Sequence, residues 1–103
     1  AMVERTAALD LDLIREIAAA VPVPLVLHGS SGVADDNLRA AVEAGIVKVN
    51  IGTILNVAFT GAVREVLDSD PKIVDPRKYV RPGREQIAAV AARLAGLVSG
   101  PRT

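Results

Sequence analysis

Three short stretches of this sequence place side chains with chemical potential at spacings where they could act together. The first is Leu27-His28-Gly29-Ser30-Ser31-Gly32, which holds the only histidine of the chain. An imidazole there could bind a divalent cation through one nitrogen while the other ring nitrogen donates to an outer acceptor. It could instead be a hydrogen-bonded histidine closing a strand, and taken alone that second role carries more weight. The glycines and serines behind it offer small side chains and free backbone N–H groups ahead of a helix, a combination that can wrap an oxyanion. Glycine and serine are also the ordinary residues of a strand-to-helix loop. The second stretch, Lys48-Val49-Asn50-Ile51-Gly52-Thr53, repeats the pattern. Its Asn50 amide could bond a substrate oxygen that gains negative charge, and Gly52 and Thr53 add N–H donors and a hydroxyl for the same anion. Alternatively, Lys48, Asn50 and Gly52 form a polar layer satisfied by water or neighbouring strands. The third, Asp75-Pro76-Arg77-Lys78-Tyr79, reads as a polar loop with two adjacent cations, for which a solvated turn is the plain reading.

The elements that would position these residues follow from apolar periodicity and punctuation. Leu9, Leu13, Ile14, Ile17, Ala18 and Val21 recur at helical spacing, with Asp10 and Asp12 near the start, where negative charge suits the helix dipole. Pro22 ends that helix, and Pro24 biases Val23 toward extended geometry ahead of a short buried strand, Leu25-Val26-Leu27. Asp35 or Asp36 can cap a second helix that turns Leu38, Ala41 and Val42 inward and stops at Gly45. Residues 46–51 alternate as a second strand. Val47, Val49 and Ile51 should face covering helices, with Lys48, Asn50 and Gly52 on the opposite side. Thr53 or Asn56 opens a third helix to about Leu67. A loop punctuated by Asp70-Pro71 and Asp75-Pro76 is expected to end near Arg81-Pro82-Gly83, followed by a last helix from Arg84 to Val98 and a polar tail.

Alternating strands and helices imply parallel pairing with right-handed crossovers. Two parallel strands alone would leave open, largely apolar edges. The chain therefore reads as α/β: the last two β/α units of a (β/α)8 barrel plus a C-terminal helical extension. A whole barrel takes about 250 residues, so these 103 residues are expected to be the C-terminal part of a single barrel domain, a fragment. Both glycine-rich turns then fall at the C-terminal ends of strands, where barrels place their chemistry and where phosphate sites recur after the last two strands.

Composition removes several classes. Lysine plus arginine and aspartate plus glutamate number 12 each, so no net charge favours nucleic acid, and two aromatic residues (Phe59, Tyr79) give no base-stacking platform. Without cysteine there are no disulfides, thiolate metal sites or cysteine nucleophile. No apolar run nears the roughly 18 residues of a membrane span, and no signal peptide is evident, so a cytoplasmic, soluble protein is expected.

The runs LVLHGSSGV, KVNIGT, NVAFTGAVREVL and DPRKYVRPGREQI, in that order, resemble the C-terminal portion of class II fructose-bisphosphate aldolases and their tagatose-bisphosphate relatives. The resemblance covers nearly the whole chain from Leu9 onward. It implies a metal-dependent, reversible cleavage of a ketose 1,6-bisphosphate to dihydroxyacetone phosphate and an aldehyde, as part of carbohydrate metabolism. By the same resemblance His28 is one of three histidines on a divalent cation, usually zinc. Gly29, Ser30 and Ser31 would meet the phosphate of dihydroxyacetone phosphate, Asn50 the enediolate, and Gly52 with Thr53 would complete the phosphate cradle. Many family members have aspartate where this chain has Gly52, which leaves that position a backbone role. Arg77 resembles an arginine that crosses a dimer interface to the second phosphate, so a homo-oligomer is implied. The catalytic acid and the other histidines belong to earlier strands, one histidine falling just ahead of a segment like Ala1-Met2-Val3-Glu4. These 103 residues by themselves are expected to be inactive, and either unstable or paired through their sheet edges. Two other readings stay open on the residues: a metal-free phosphate-binding barrel enzyme, and a non-catalytic phosphate-binding or oligomerisation module.

Overall fold

A computed structural model describes residues 7–99. The expectations placed on Ala1–Glu4 and on the tail after Ser99 lie outside the described residues. The first helix, α1 (Leu11–Ala20), starts where Asp10 accepts a hydrogen bond from the Leu13 N–H, satisfying one of the donors a helix start leaves free. Beyond Pro22 and Pro24 the chain extends into β1 (Leu25–Leu27), passes through one 3-10 turn at Ser30–Gly32, and enters α2 (Asp35–Ala44). Here the expected cap is corrected. Ala34, in extended geometry with no side-chain bond to offer, holds the N-cap position. Asp35 and Asp36 sit inside the first turn, where their charge still suits the dipole. The Asp35 carboxylate meets Arg93 of the last helix, and Asp36 accepts from the Asn37 N–H.

Gly45 closes α2 at φ 138°, which favours glycine, and a Cβ there would come within 2.8 Å of the Ala18 Cβ. The turn thus lets α1 lie against the end of α2. Next comes β2, which is shorter than expected at Ile46–Val49 and pairs parallel with β1. Leu25 faces Ile46, but Val26 faces Lys48, so Val47 is an extra residue in the ladder. This bulge shifts the alternation. Ile46, at 6% exposure, packs into the core, whereas Val47, expected to face the helices, is 68% exposed.

From Gly52 the chain enters α3 (Thr53–Ser69), and α4 spans Arg77–Val98. The last helix therefore begins seven residues before the expected Arg84, and Pro82 lies within it. Proline in a helix interior removes one i to i−4 bond and costs about 3 kcal/mol. Two features offset it. Asp75 accepts from the Arg77 N–H, and the N–H groups of Tyr79 and Val80 reach the Pro76 carbonyl, so the first turn is secured before the proline. Gly83 then lets α4 close on Phe59 of α3 at a separation with no room for a side chain.

The core gathers Val33, Leu38, Ala41, Ala44, Ile46 and Leu94, so α2 is gripped between β2 and α4. Val23, Val26 and Val47, on or just before the strands, and Leu13 and Ile17 on α1 stay exposed. Among the described residues no helix is long and apolar enough to cross a membrane.

Candidate functional site at the ends of the two strands

The parallel ladder brings the ends of β1 and β2 side by side, and with them His28 and Asn50, which are 22 residues apart. Asn50 Nδ2 lies 2.7 Å from His28 Nδ1. Two proton arrangements satisfy this contact. In one, the amide donates to a bare Nδ1 and the ring proton sits on Nε2. In the other, the amide is turned over, Oδ1 accepts from Nδ1–H, and the Nε2 lone pair is left for a cation. The ring is exposed at the strand end, so Nε2 can take an outside ligand.

Asn50 is fixed through its backbone as well. Its N–H donates to the Leu27 carbonyl (2.9 Å), and its carbonyl accepts from the Ser30 hydroxyl (2.8 Å). Ser30 is the one polar residue buried among those described, at 5% exposure. Gly29 ahead of it takes the left-handed conformation, φ 62°, and is exposed. Ser31 is half-buried. The turn is anchored behind by a parallel bridge between Ala7 and Val33, with the Ala7 N–H on the Gly32 carbonyl at 2.9 Å. The Leu9 N–H, bonded to Asn37 Oδ1 at 2.8 Å, adds a second tie. The second turn is simpler. Gly52 caps α3 through its carbonyl, which accepts from Leu55 and Asn56, and Gly52 and Thr53 are exposed. The N–H groups at the start of α3 therefore open near the end of β2.

The structure thus brings His28, Gly29, Ser30, Ser31 and Asn50 together, with Gly52 and Thr53 two and three residues further on. It does not join Arg77 to them. Arg77 is the first residue of α4 rather than part of a loop, and its guanidinium folds back onto Asp75 at 2.8 Å. The guanidinium beside it, then the Arg77 N–H, hold the Asp75 carboxyl below the usual carboxylate range, and Asp75 in turn raises Arg77. Arg77, Lys78, Arg81 and Arg84 line a depression of about 650 Å³ together with Asp75. A larger, open depression of about 1140 Å³ runs along the flank of α3 from Thr53 to Ser69 and includes neither His28 nor Asn50. The candidate site is the His28–Asn50 pair and not that depression, because the strand ends combine an exposed imidazole, an amide and two small-residue turns.

Residue types alone did not reveal the anchoring by Ser30, Asn37 and Ala7. Asn37 at the start of a helix was the one available signal, since such residues often bond backbone groups outside the helix.

A parallel strand pair with interleaved helices, whose strands end in adjacent small-residue turns, one led by a histidine, defines an α/β unit. The model for class-II fructose-bisphosphate aldolases matches residues 1–100, and the chain belongs to this family. The fructose-bisphosphate aldolase of Geobacillus stearothermophilus is 41% identical over 80 residues, covering 78% of this chain and 27% of that protein. The crystal structure of the YdjI aldolase from Escherichia coli K12 superposes with a TM-score of 0.77 at 31% identity, over 95% of this chain and 36% of the other. The chain therefore spans about a third or less of the length of these relatives.

Proposed function

We propose that the protein containing this chain is a metal-dependent aldolase that reversibly cleaves a ketose 1,6-bisphosphate, fructose or tagatose, to dihydroxyacetone phosphate and an aldehyde. The chain supplies the last two β/α units of a (β/α)8 barrel and a helical extension, within a single barrel domain of a cytoplasmic homo-oligomer. The exposed strand valines and open sheet edges support that placement, because further strands would cover them. The observation that carries the reading is the His28–Asn50 contact at the mouth of the two turns, in a chain of the aldolase family.

The residues fit a bound cation in part. An exposed imidazole whose Nδ1–H is held by the Asn50 amide oxygen, the arrangement that leaves the Nε2 lone pair available, is a suitable ligand, and zinc is the proposed metal. Among the described residues no group of three histidines, cysteines or carboxylates could hold a metal, so His28 supplies one ligand of a set completed elsewhere in the protein. When bound, such a cation supplies Lewis-acid polarisation of the substrate carbonyl.

The chain's own residues do the rest. The exposed Gly29 backbone, Ser31 and the start of α3 at Gly52 and Thr53 offer N–H and hydroxyl donors to the phosphate of dihydroxyacetone phosphate. Held there, the substrate presents C2 near Asn50. Cleavage breaks the C3–C4 bond, the C4 hydroxyl loses its proton to a base from an earlier strand, and the electron pair collects on the C2 oxygen. Asn50 meets that growing charge. An amide has two N–H donors and two acceptor lone pairs, so one bond to His28 leaves capacity for the substrate. Arg77 is the proposed contact for the second phosphate across an oligomer interface, which requires it to leave Asp75.

The test is metal content and aldol cleavage in the full-length protein with and without His28→Ala. The expected result is one divalent ion per subunit and metal-dependent cleavage, both lost in the variant. Full activity in His28→Ala, or in the chelated protein, would sink this reading in favour of a metal-free phosphate-binding barrel.

A further inference from the structure

The Ser30 hydroxyl has a use that binding a phosphate would not explain. In a regular parallel ladder, the rung after the Asn50 N–H to Leu27 carbonyl bond would run from the Gly29 N–H to the Asn50 carbonyl. Gly29 instead turns left-handed at φ 62°, and no bond runs from its N–H to the Asn50 carbonyl. The Asn50 carbonyl is bonded by Ser30 Oγ at 2.8 Å. A side chain thus stands in for a backbone rung. A hydroxyl has one proton to donate, this one is given to a carbonyl, and the side chain is buried at 5% exposure. It has no donor left for an oxyanion.

We propose that Ser30 is a positioning residue, a strut that holds the second turn on the first so that the Asn50 amide stays against His28 while the Gly29 N–H is released toward the anion. The inference rests on the aldolase reading for its kinetic consequence only. Asn50 is then tied at three points, by Leu27 and Ser30 through its backbone and by His28 through its side chain. Removing the strut leaves the Asn50 carbonyl without its partner and frees the segment that carries the amide. The phosphate donors remain in place, because the Ala7–Val33 bridge anchors the first turn from the other side and the bonds of Leu55 and Asn56 to the Gly52 carbonyl hold the start of α3 independently of Ser30.

The experiment compares the full-length protein with Ser30→Ala by hydrogen exchange of the peptide covering residues 47–52, by steady-state kinetics of aldol cleavage, and by affinity for inorganic phosphate. One net hydrogen bond is worth about tenfold in an opening equilibrium. We expect exchange of this peptide to rise about tenfold with α4 unchanged, kcat to fall by a similar factor, and KM and phosphate affinity to hold within about twofold. Unchanged exchange overturns the strut whatever the kinetics do. Faster exchange with unchanged kcat overturns the positioning role, and so does faster exchange throughout the protein. Weaker phosphate binding at constant kcat would return Ser30 to the phosphate. If the wild-type protein cleaves no ketose bisphosphate, the aldolase reading fails, and the exchange measurement alone decides whether the strut exists.

Discussion

Replacing Gly83 by alanine should destabilise the protein, against the usual sign of a glycine-to-alanine change inside a helix. Alanine normally gains about 1 kcal/mol over glycine at a helix interior. At Gly83 a Cβ would sit 2.7 and 2.8 Å from Cδ2 and Cε2 of Phe59 and 3.1 Å from a methyl of Val63, well inside ordinary contact at 3.4 Å. Those ring carbons are not the tip of a flexible chain, so α3 and α4 must separate or the ring must leave its rotamer. Overpacking of this kind costs about 1–3 kcal/mol. The clash outweighs the propensity gain, for a net loss of up to about 2 kcal/mol. Gly61 and Gly96 are the internal controls. Both lie in the same helix pair, and a Cβ at either meets nothing within 4 Å. Denaturant unfolding of the full-length protein should therefore show Gly61→Ala and Gly96→Ala at or above wild-type stability and Gly83→Ala below it. A Gly83→Ala variant as stable as the two controls would refute the close approach of the helices.

Asn50→Ala should lower kcat by about 10²–10³-fold, the usual cost of losing one donor to a developing oxyanion, while metal content stays at the wild-type level. A kcat within about threefold of wild type would remove Asn50 from the chemistry. Arg77→Ala should raise the pKa of Asp75 toward the ordinary carboxylate range, since the guanidinium is the larger cause of its lowering, with the remaining Arg77 N–H bond keeping part of the effect. A depressed carboxylate contributes stability above its unfolded pKa and loses it as pH falls through the folded one, so the effect belongs to acid pH. A carboxyl titration followed by NMR that shows no change at Asp75 would break the pairing with Arg77.

How far the sequence exposes this fold depends on whether the determining signal is local. Pro22, Pro24 and Gly45 act on their own backbone, so the order of α1, β1, α2, β2 and α3 is readable from them. The early start of α4 is not, because Pro82 reads as a breaker until Phe59 is found against Gly83, across the helix hairpin. Val47 reads as covered by helices because alternation assumes an unbroken ladder, and the bulge is a property of the pair rather than of either strand. At the site, His28, Gly29 and Asn50 stand out by residue type, yet the 2.7 Å contact between His28 and Asn50 depends on register. The Ser30 hydroxyl was the least legible feature. A serine in a glycine-rich turn looks like a ligand, and only its burial and the Asn50 carbonyl beside it show where its proton goes.

The same contacts explain how the proposed histidine ligand and the proposed oxyanion donor can share such a short framework. Each of the two turns alone would be a flexible loop, and ordering a residue's backbone costs about 1–2 kcal/mol. Here one residue, Asn50, receives the constraints of both. The ladder fixes its N–H, the first turn fixes its carbonyl, and its amide is left to orient the imidazole and still has bonding capacity toward a substrate. A shift of the second strand along the first would therefore move the imidazole partner and the oxyanion donor together. Under the proposed function, that coupling keeps the His28 ring and the Asn50 amide in register toward the same substrate carbon.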